Sequence, residues 1–120
     1  MQVKSFKMAV HELHLHEGPF GKILRGEKHC ESRLFDEKRQ KIRVGDEIVF
    51  ISRDDGQEIR ACVTALVRAA RFAALYPCLP EAVREQEIED DFLAELRRYY
   101  TVDDELRWGV LGIVFERVGL

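Results

Sequence analysis

Alternation of hydrophobic and polar positions predicts two strands that are buried on one face. Segment 10–17 places Leu13 and Leu15 on one side and polar residues on the other, as a half-buried strand requires. Segment 58–67 repeats this alternation after an Asp-Gly turn at 53–56, so it should pair antiparallel with the strand before it. The face of the second segment that we expect to be buried consists of Ile59, Ala61, Val63, Ala65 and Val67.

Three further segments also read as strands. The apolar run EIVFI at 47–51 predicts a strand covered on both sides, because no polar face is left for solvent. Segment 28–35 is the second strand in chain order, and 108–118 is a closing strand rich in branched residues.

Helical spacing is found in two places. Pro19 can begin a short helix over 19–25 that Gly26 ends. Segment 90–100 has an apolar stripe at helical spacing that must pack on another element, and its members are Phe92, Leu93, Leu96, Tyr99 and Tyr100. Segment 69–83 is helix or loop interrupted by prolines, and Thr101 with Asp104 matches a capping box for one more helical turn.

This order of elements predicts an α+β fold. Five strands, one hairpin and no regular alternation of strand and helix favour a small mixed, mainly antiparallel β-barrel with flanking helices over a doubly wound sheet. A chain of 120 residues suits a single domain over 1–120. No apolar run is long enough to cross a bilayer and none resembles a secretory signal, so we expect a cytoplasmic protein with no membrane partner.

Composition narrows the classes of function. The three cysteines lie far apart without a CxxC pair, which favours buried free thiols over a disulfide framework. A net charge of −3 argues against indiscriminate coating of polyanions. The charge is uneven, however: residues 22–43 carry eight Lys or Arg against four acids, and residues 81–107 carry ten acids against four Arg. A local basic surface is therefore possible.

The usual signatures of catalysis and metal binding are weak or missing. The chain has no GxSxG, P-loop or GxGxxG pattern. His14 and His16 share one strand face, but the sequence identifies no third ligand. We therefore expect no metal and no cofactor, with both histidines exposed on the first strand.

The second strand concentrates ionic groups. Glu31 and Arg33 project from the same face, close enough for a charged pair that leaves guanidinium donors available for a phosphate or a base edge. Lys28 precedes them and could add a positive charge or, if burial lowers its pKa, act as a base or nucleophile. The residues alone leave two interpretations open, a solvated charged face and a ligand site.

The spacing Gly26-x-Lys28-x-x-Glu31-x-Arg33 resembles the GxKxxExR motif of the ASCH domain, a branch of the PUA-like superfamily. The opening HELHLHEGPFGKILRGEK, the segment DEKRQKIRVGDEIVF, the RRYYT helix end and the closing RWGVLGIVFERV are similar to this family in the same order. The resemblance covers nearly the whole chain. It implies a five- or six-stranded barrel with flanking helices.

The resemblance also implies a binding function. In ASCH domains, which are generally regarded as RNA-binding, the motif lines a cleft beside the barrel, here with Lys28, Glu31 and Arg33. RNA or a nucleotide-like ligand would be the partner, and the basic segment would guide its backbone through Lys38, Arg39, Lys41 and Arg43. Tyr99, Tyr100 and Trp108 are the candidates for a stacking surface, although core packing is the expected role of Tyr99 and Trp108.

A second branch of the family consists of amidohydrolases that act on acetylated cytidine, in which the motif's Lys, a Thr and a distant Glu carry the reaction. This sequence has Glu31 where that branch has Thr. Lys28 would be the reactive group, with Glu31 beside it, and the acid ahead of the long helix cannot be chosen among Glu85, Glu87, Glu89, Asp90 and Asp91.

Overall fold

A computed structural model describes residues 7–119. The predicted domain over 1–120 therefore includes six residues at the start and one at the end that lie outside the described residues. The strands are β1 (Val10–Leu15), β2 (Cys30–Leu34), β3 (Glu47–Ser52), β4 (Glu58–Ala69) and β5 (Val110–Arg117). The helices are α1 (Glu17–Leu24), α2 (Phe72–Leu75), α3 (Glu81–Arg84), α4 (Glu89–Arg97) and α5 (Val102–Trp108).

The strands form one curled sheet in the order β1-β3-β4-β5-β2. β1 pairs parallel with β3, and the other three pairs are antiparallel. The sheet is a half-barrel with helices around it, which confirms the predicted α+β class and its mainly antiparallel pairing. β1 and β2 are the two edge strands, so the barrel is open between them. No helix in the described part of the chain is long and apolar enough to cross a membrane.

Two hydrophobic clusters cover the two faces of the sheet. One fills the concave side, with Phe50 and Phe115 in tilted ring contact at 4.7 Å. The other lies between the outer face and the helices, around Phe72 and Leu75. Since Ile48, Val49 and Phe50 are all buried, the prediction that β3 is covered on both sides is confirmed. The predicted hairpin between β3 and β4 is confirmed as well, and Gly56 in its turn has a φ of 73°.

The predicted inward face of β4 is right only for its first half. Ile59, Ala61 and Val63 are in the concave cluster as expected. The register then shifts between Val63 and Ala65, where β4 pairs with β5. Such a bulge exchanges the two faces of the following residues, so Leu66 packs against the concave cluster and Val67 against the helices.

The helices form where they were predicted, but α1 begins at Glu17, two residues before Pro19, and the apolar stripe of α4 ends early. Phe92 and Leu96 of α4 are buried, and Thr101 and Asp104 form the capping box of α5. α4 ends at Arg97, however, so Tyr99 no longer follows the helical spacing. Its side chain is exposed rather than packed in the core.

Glu105 joins the helices that cover the outer face. Its side chain is buried, accepts a hydrogen bond from the Phe72 N–H at 2.8 Å and pairs with Arg97 at 3.0 Å. A buried carboxylate needs such partners, and here they connect α5 to the start of α2 and the end of α4. No pattern in the sequence distinguishes this glutamate from the other acids around it.

The cysteines match the expectation of buried thiols only in part. All three are free, but Cys30 alone is buried, Cys62 is partly exposed and Cys78 is exposed. Cys78 follows Pro77 in a single 3-10 turn, where the chain crosses the surface between α2 and α3. Burial raises the pKa of the Cys30 thiol to about 12, so this thiol is protonated at neutral pH.

Asp46 holds the turn before β3. Its carboxylate accepts hydrogen bonds from His11 Nε2 at 2.8 Å and from the backbone N–H groups of Arg43 at 2.9 Å and Ala9 at 3.1 Å. Burial opposes ionisation, but these hydrogen bonds outweigh it and lower the pKa of Asp46. The carboxylate therefore contributes more to stability when it is ionised.

We expect Asp46→Ala to lower the free energy of unfolding by about 1–3 kcal/mol, because three partly buried hydrogen bonds lose their acceptor. Since the pKa of Asp46 is lowered in the fold, its ionic contribution is present above the usual Asp pKa of about 3.9 and is lost as the pH falls through the lower folded value. Urea unfolding at pH 7 and pH 3 measures both effects. The exposed Glu37→Ala is the control. An equal loss at the two pH values would contradict the role of the charge.

Candidate functional site

The open seam between β1 and β2 is bridged by side chains rather than by a backbone ladder. Arg33 Nη2 donates to the His14 carbonyl at 2.9 Å, and Lys38 Nζ donates to the Glu12 carbonyl at 3.0 Å. The two acceptors are alternate residues of β1, so both carbonyls lie on its unpaired edge. The seam is therefore held together by two cations and remains open enough for a cleft.

A cleft of about 660 Å³ lies at this seam. One side is formed by the end of β1 and the start of α1, the floor by residues 28 and 30–33, and the other side by α4 and the loops beside it. Its size is that of a small-molecule or cofactor site. Apolar and aromatic groups form much of the helical side, namely Tyr76, Leu79, Val83, Phe92, Leu96, Tyr99 and Tyr100.

Three ionic side chains meet on the floor of this cleft. Lys28 Nζ lies 3.6 Å from Glu31 Oε1, and Arg33 Nη2 lies 3.6 Å from Glu31 Oε2. The exposed fractions of the side chains are 20% for Lys28, 9% for Glu31 and 13% for Arg33. A solvated charged face would leave these groups exposed. The interpretation of β2 as a solvated charged face is therefore wrong. Both faces of β2 are covered, since Cys30 and Ser32 are buried too.

The Oε2 atom of Glu31 is buried and has no hydrogen-bond partner within the described part of the chain. The two cations are near enough for strong attraction but beyond hydrogen-bond distance. Buried carboxylate oxygens normally accept hydrogen bonds. Glu31 therefore has unused acceptor capacity, which a small shift of the Arg33 side chain would either satisfy or open to a ligand.

The environment of Lys28 keeps it charged. Burial by itself would lower its pKa, but the carboxylates of Glu31 and Glu87 outweigh this effect and raise the pKa of Lys28 above its usual value. A lysine acting as base or nucleophile needs the opposite shift. The condition under which Lys28 could be a reactive group, a pKa lowered by burial, is therefore not met.

The structure also selects one acid from the group ahead of α4. Glu87 is half-buried and lines the cleft, and its backbone carbonyl accepts a hydrogen bond from the Tyr76 hydroxyl at 2.7 Å. The four other acids of this group, Glu85, Glu89, Asp90 and Asp91, are exposed. Among the five, Glu87 is the one whose charge acts on Lys28.

Two tyrosines line the cleft in different ways. Tyr100 is half-buried against Phe72 at 5.6 Å, and burial, opposed by Arg33, raises the pKa of its hydroxyl, which stays protonated. Tyr99 is 44% exposed and stacks on His16 with ring centres 5.4 Å apart. Trp108 is partly buried and lies under the guanidinium of Arg107 at 5.0 Å, away from the residues that line the cleft.

The predicted basic segment lies outside the cleft lining. Lys38 is bound to β1, and Arg39 pairs with Asp36 at 3.0 Å. Lys41 and Arg43 are exposed on the following turn. Sequence order grouped these four residues with the motif, but none of them is among the residues that line the cleft.

The described residues contain no group of three or more His, Cys, Asp or Glu side chains that could hold a metal ion. His14 and His16 are exposed and line the cleft. His16 is engaged with Tyr99 rather than with His14.

Sequence reasoning missed several residues of the cleft. His14, His16, Lys22, Arg53 and Arg98 bring positive or titratable groups to its margins from elements far apart in the chain. The sequence placed His14 and His16 together only as a possible metal pair and Lys22 only in the segment that resembles the family. Only spatial proximity could have assigned these residues, Arg53 and Arg98 to the cleft.

Comparison with known families decides the relationship. The profile of the ASCH domain matches residues 13–117. The chain belongs to the ASCH domain family. A search of the curated proteins finds no significant match.

Solved structures share the fold of this chain. The crystal structure of hypothetical protein PH0355 has a TM-score of 0.75 at 25% identity, over 91% of this chain and 99% of that one. Protein PF0455 from Pyrococcus furiosus, solved in solution by NMR, has a TM-score of 0.65 at 24% identity, over 95% and 100%. An ASCH domain from Lactobacillus crispatus JV V101 covers 92% and 80% at 17% identity, with a TM-score of 0.48.

We expect Glu31→Gln to lower the pKa of Lys28, because removing the nearer charge leaves burial as the larger effect. The pH dependence of the Lys28 side-chain NMR signals measures this change. Glu37→Gln, which alters an exposed acid on the turn after β2, is the control. An unchanged pKa of Lys28 in Glu31→Gln would show that the two side chains do not interact in solution.

Proposed function

We propose that this ASCH domain binds RNA or a nucleotide-like ligand in the cleft between β1 and β2. The observation that supports the proposal best is the buried Glu31 carboxylate, which lies between two cations at the floor of an open cleft and whose Oε2 atom has no hydrogen-bond partner among the described residues. The ASCH family as a whole is thought to bind RNA. The proposal gives that general property a location and a set of contacts.

Each member of the cluster has a distinct role in this proposal. Arg33 uses one donor to hold β1 and can offer others to a phosphate or a base edge, since a guanidinium carries five. Lys28 supplies a positive charge that Glu31 stabilises. Glu31 orients both cations and can accept a hydrogen bond from a base.

Aromatic contact would supply the rest of the affinity. A base stacked on an exposed aromatic side chain contributes about 1–3 kcal/mol. Tyr99 offers an exposed ring at the cleft margin, and Tyr100 offers a half-buried ring closer to the ionic cluster. Lys41 and Arg43, which are exposed and outside the cleft lining, would attract the backbone of a longer RNA through the field of their charges.

Arg33→Ala should weaken binding of a short single-stranded RNA at least several-fold, because both a charged donor and the tie to β1 are lost. Fluorescence anisotropy with a labelled oligonucleotide at low salt measures the change. Arg60→Ala is the matched control, since Arg60 is an exposed arginine of β4 that pairs with Glu47 outside the cleft. A thermal melt of each variant separates lost binding from lost folding. Unchanged affinity in a folded Arg33→Ala protein would contradict the proposed site.

The same titration distinguishes contact from steering. Lys41→Ala should mainly reduce the dependence of affinity on salt, by about one unit in the log-log slope, because one fewer phosphate is neutralised. Absence of binding to any RNA or nucleotide by the wild-type protein at low salt would reject the function altogether.

The amidohydrolase alternative has less support. Glu31 stands where that branch of the family has a threonine, and the raised pKa of Lys28 keeps it protonated. Glu87 beside Lys28 is the single feature in its favour.

We expect no release of acid when the protein is incubated with an N4-acylated cytidine, because Lys28 is held as an ammonium group. Following the free acid by chromatography tests this. Turnover that disappears in Lys28→Ala would reverse the order of the two proposals.

A further inference from the structure

The ionic cluster on the cleft floor has a fixed order of donors and acceptors. Lys28 lies beside Oε1 of Glu31, and Arg33 lies beside Oε2. The carboxylate is thus in the middle, with one cation at each oxygen. A protonated lysine and a guanidinium can only donate hydrogen bonds, and an ionised glutamate can only accept them. Along the floor of the cleft, the hydrogen-bonding groups are therefore a donor, an acceptor and a donor.

A ligand complementary to this order has an edge with an acceptor, a donor and an acceptor in sequence. The Watson–Crick edge of uracil has this arrangement, because its N3–H lies between the O4 and O2 carbonyls. Cytosine, adenine and guanine each lack this arrangement. Cytosine and adenine carry an exocyclic amine in place of one carbonyl and a ring nitrogen without hydrogen in place of the N–H. Guanine carries an amine in place of the second carbonyl. On cytosine or adenine the exocyclic amine could reach Glu31, but one of the two cations would then face no carbonyl. Guanine would bring its amine against a cation.

The burial of the cluster adds a condition on the ligand. The Glu31 side chain is 9% exposed and lies at the base of the cleft. A base paired in a duplex has its Watson–Crick edge occupied and cannot present it to such a group. The recognised base must therefore be unpaired, in a single strand, a loop, a chain end or a free nucleotide.

The balance of charges around the cleft favours recognition of a single base over binding along a phosphate backbone. Among the residues that the structure describes, five cations line the cleft, namely Lys22, Lys28, Arg33, Arg53 and Arg98. Five acids oppose them, Glu17, Glu31, Asp54, Glu87 and Glu95. A channel that follows a backbone is positively charged throughout. A balanced cleft instead selects a ligand through placed hydrogen bonds, and the apolar helical side strengthens those bonds by lowering the local dielectric.

From this arrangement we propose that the cleft selects an unpaired uracil, or another base with the same cyclic imide edge, through Lys28, Glu31 and Arg33. In the bound state Glu31 accepts from N3–H, and the two cations donate to the flanking carbonyls. The inference rests on the proposed function and adds the identity of the base. It requires no chemical step and no cofactor.

Isothermal titration of the wild-type protein with UMP, CMP, AMP and GMP at low salt tests the inference. All four share the ribose phosphate, so differences report the base. We expect UMP to bind at least about 5-fold more tightly than each of the other three, the lower end of what a good paired contact to a base edge provides. The same ranking should hold for short single-stranded runs of U, C and A, and pairing the U run with its complement should abolish the preference.

Two controls isolate the imide edge. The 5′-monophosphate of 3-methyluridine lacks the N3–H and should lose the advantage of UMP. Glu31→Gln should reduce the preference for UMP over CMP, whereas Glu47→Gln, which alters an acid of β3 outside the cleft, should keep it. Since the nucleotide series uses the wild-type protein, it remains decisive even if a Glu31 variant fails to fold.

The possible failures are distinct. Equal affinity for all four nucleotides and for the U, C and A runs, or a preference for CMP, would overturn the uracil inference and leave the proposed binding function standing. Binding of none of the nucleotides or single strands would overturn both.

Discussion

The half-barrel depends on how the edge between β1 and β2 is closed. A backbone ladder there would have made a complete barrel without a cleft, whereas an unprotected edge would expose a row of unpaired carbonyls. This chain binds two of those carbonyls with the side chains of Arg33 and Lys38. Closing a sheet with long cationic side chains leaves space between the strands, and that space is the cleft. The same guanidinium therefore stabilises the fold and faces the site.

This double use explains why so many ionic groups lie on one short strand. Arg33 must be partly buried to reach β1, and a partly buried guanidinium needs a nearby counter-charge. Glu31, two residues earlier on the same face, provides it and in turn raises the pKa of Lys28. The cluster is incomplete as a hydrogen-bonded unit, since Glu31 lies 3.6 Å from each cation.

Much of the fold could be predicted because hydrophobic periodicity follows burial directly. The strands, the hairpin at Gly56 and the capping box at Thr101 were all predicted within a few residues. The predictions were wrong where a local irregularity interrupted the hydrophobic periodicity. The bulge after Val63 exchanged the faces of β4, and the early end of α4 at Arg97 moved Tyr99 from the expected core to the cleft margin. The sequence also did not predict that both faces of β2 are covered, because Glu31 and Ser32 are polar residues and yet are buried.

By itself, the sequence determined the membership of the chain in the ASCH family, the order of its elements and the trio of Lys28, Glu31 and Arg33, because these are properties of neighbours along the chain. Only the tertiary structure decided that Glu87, among five acids, lies near Lys28. It also decided that Lys38 and Arg39 are hydrogen-bonded or paired outside the cleft lining. The stacking of His16 on Tyr99 is a third such contact. These outcomes depend on contacts between residues far apart in sequence, and such contacts are set by the curl of the sheet and the packing of the helices over it. A pKa, a burial or a free donor is a property of that surrounding space and not of the residue that carries it.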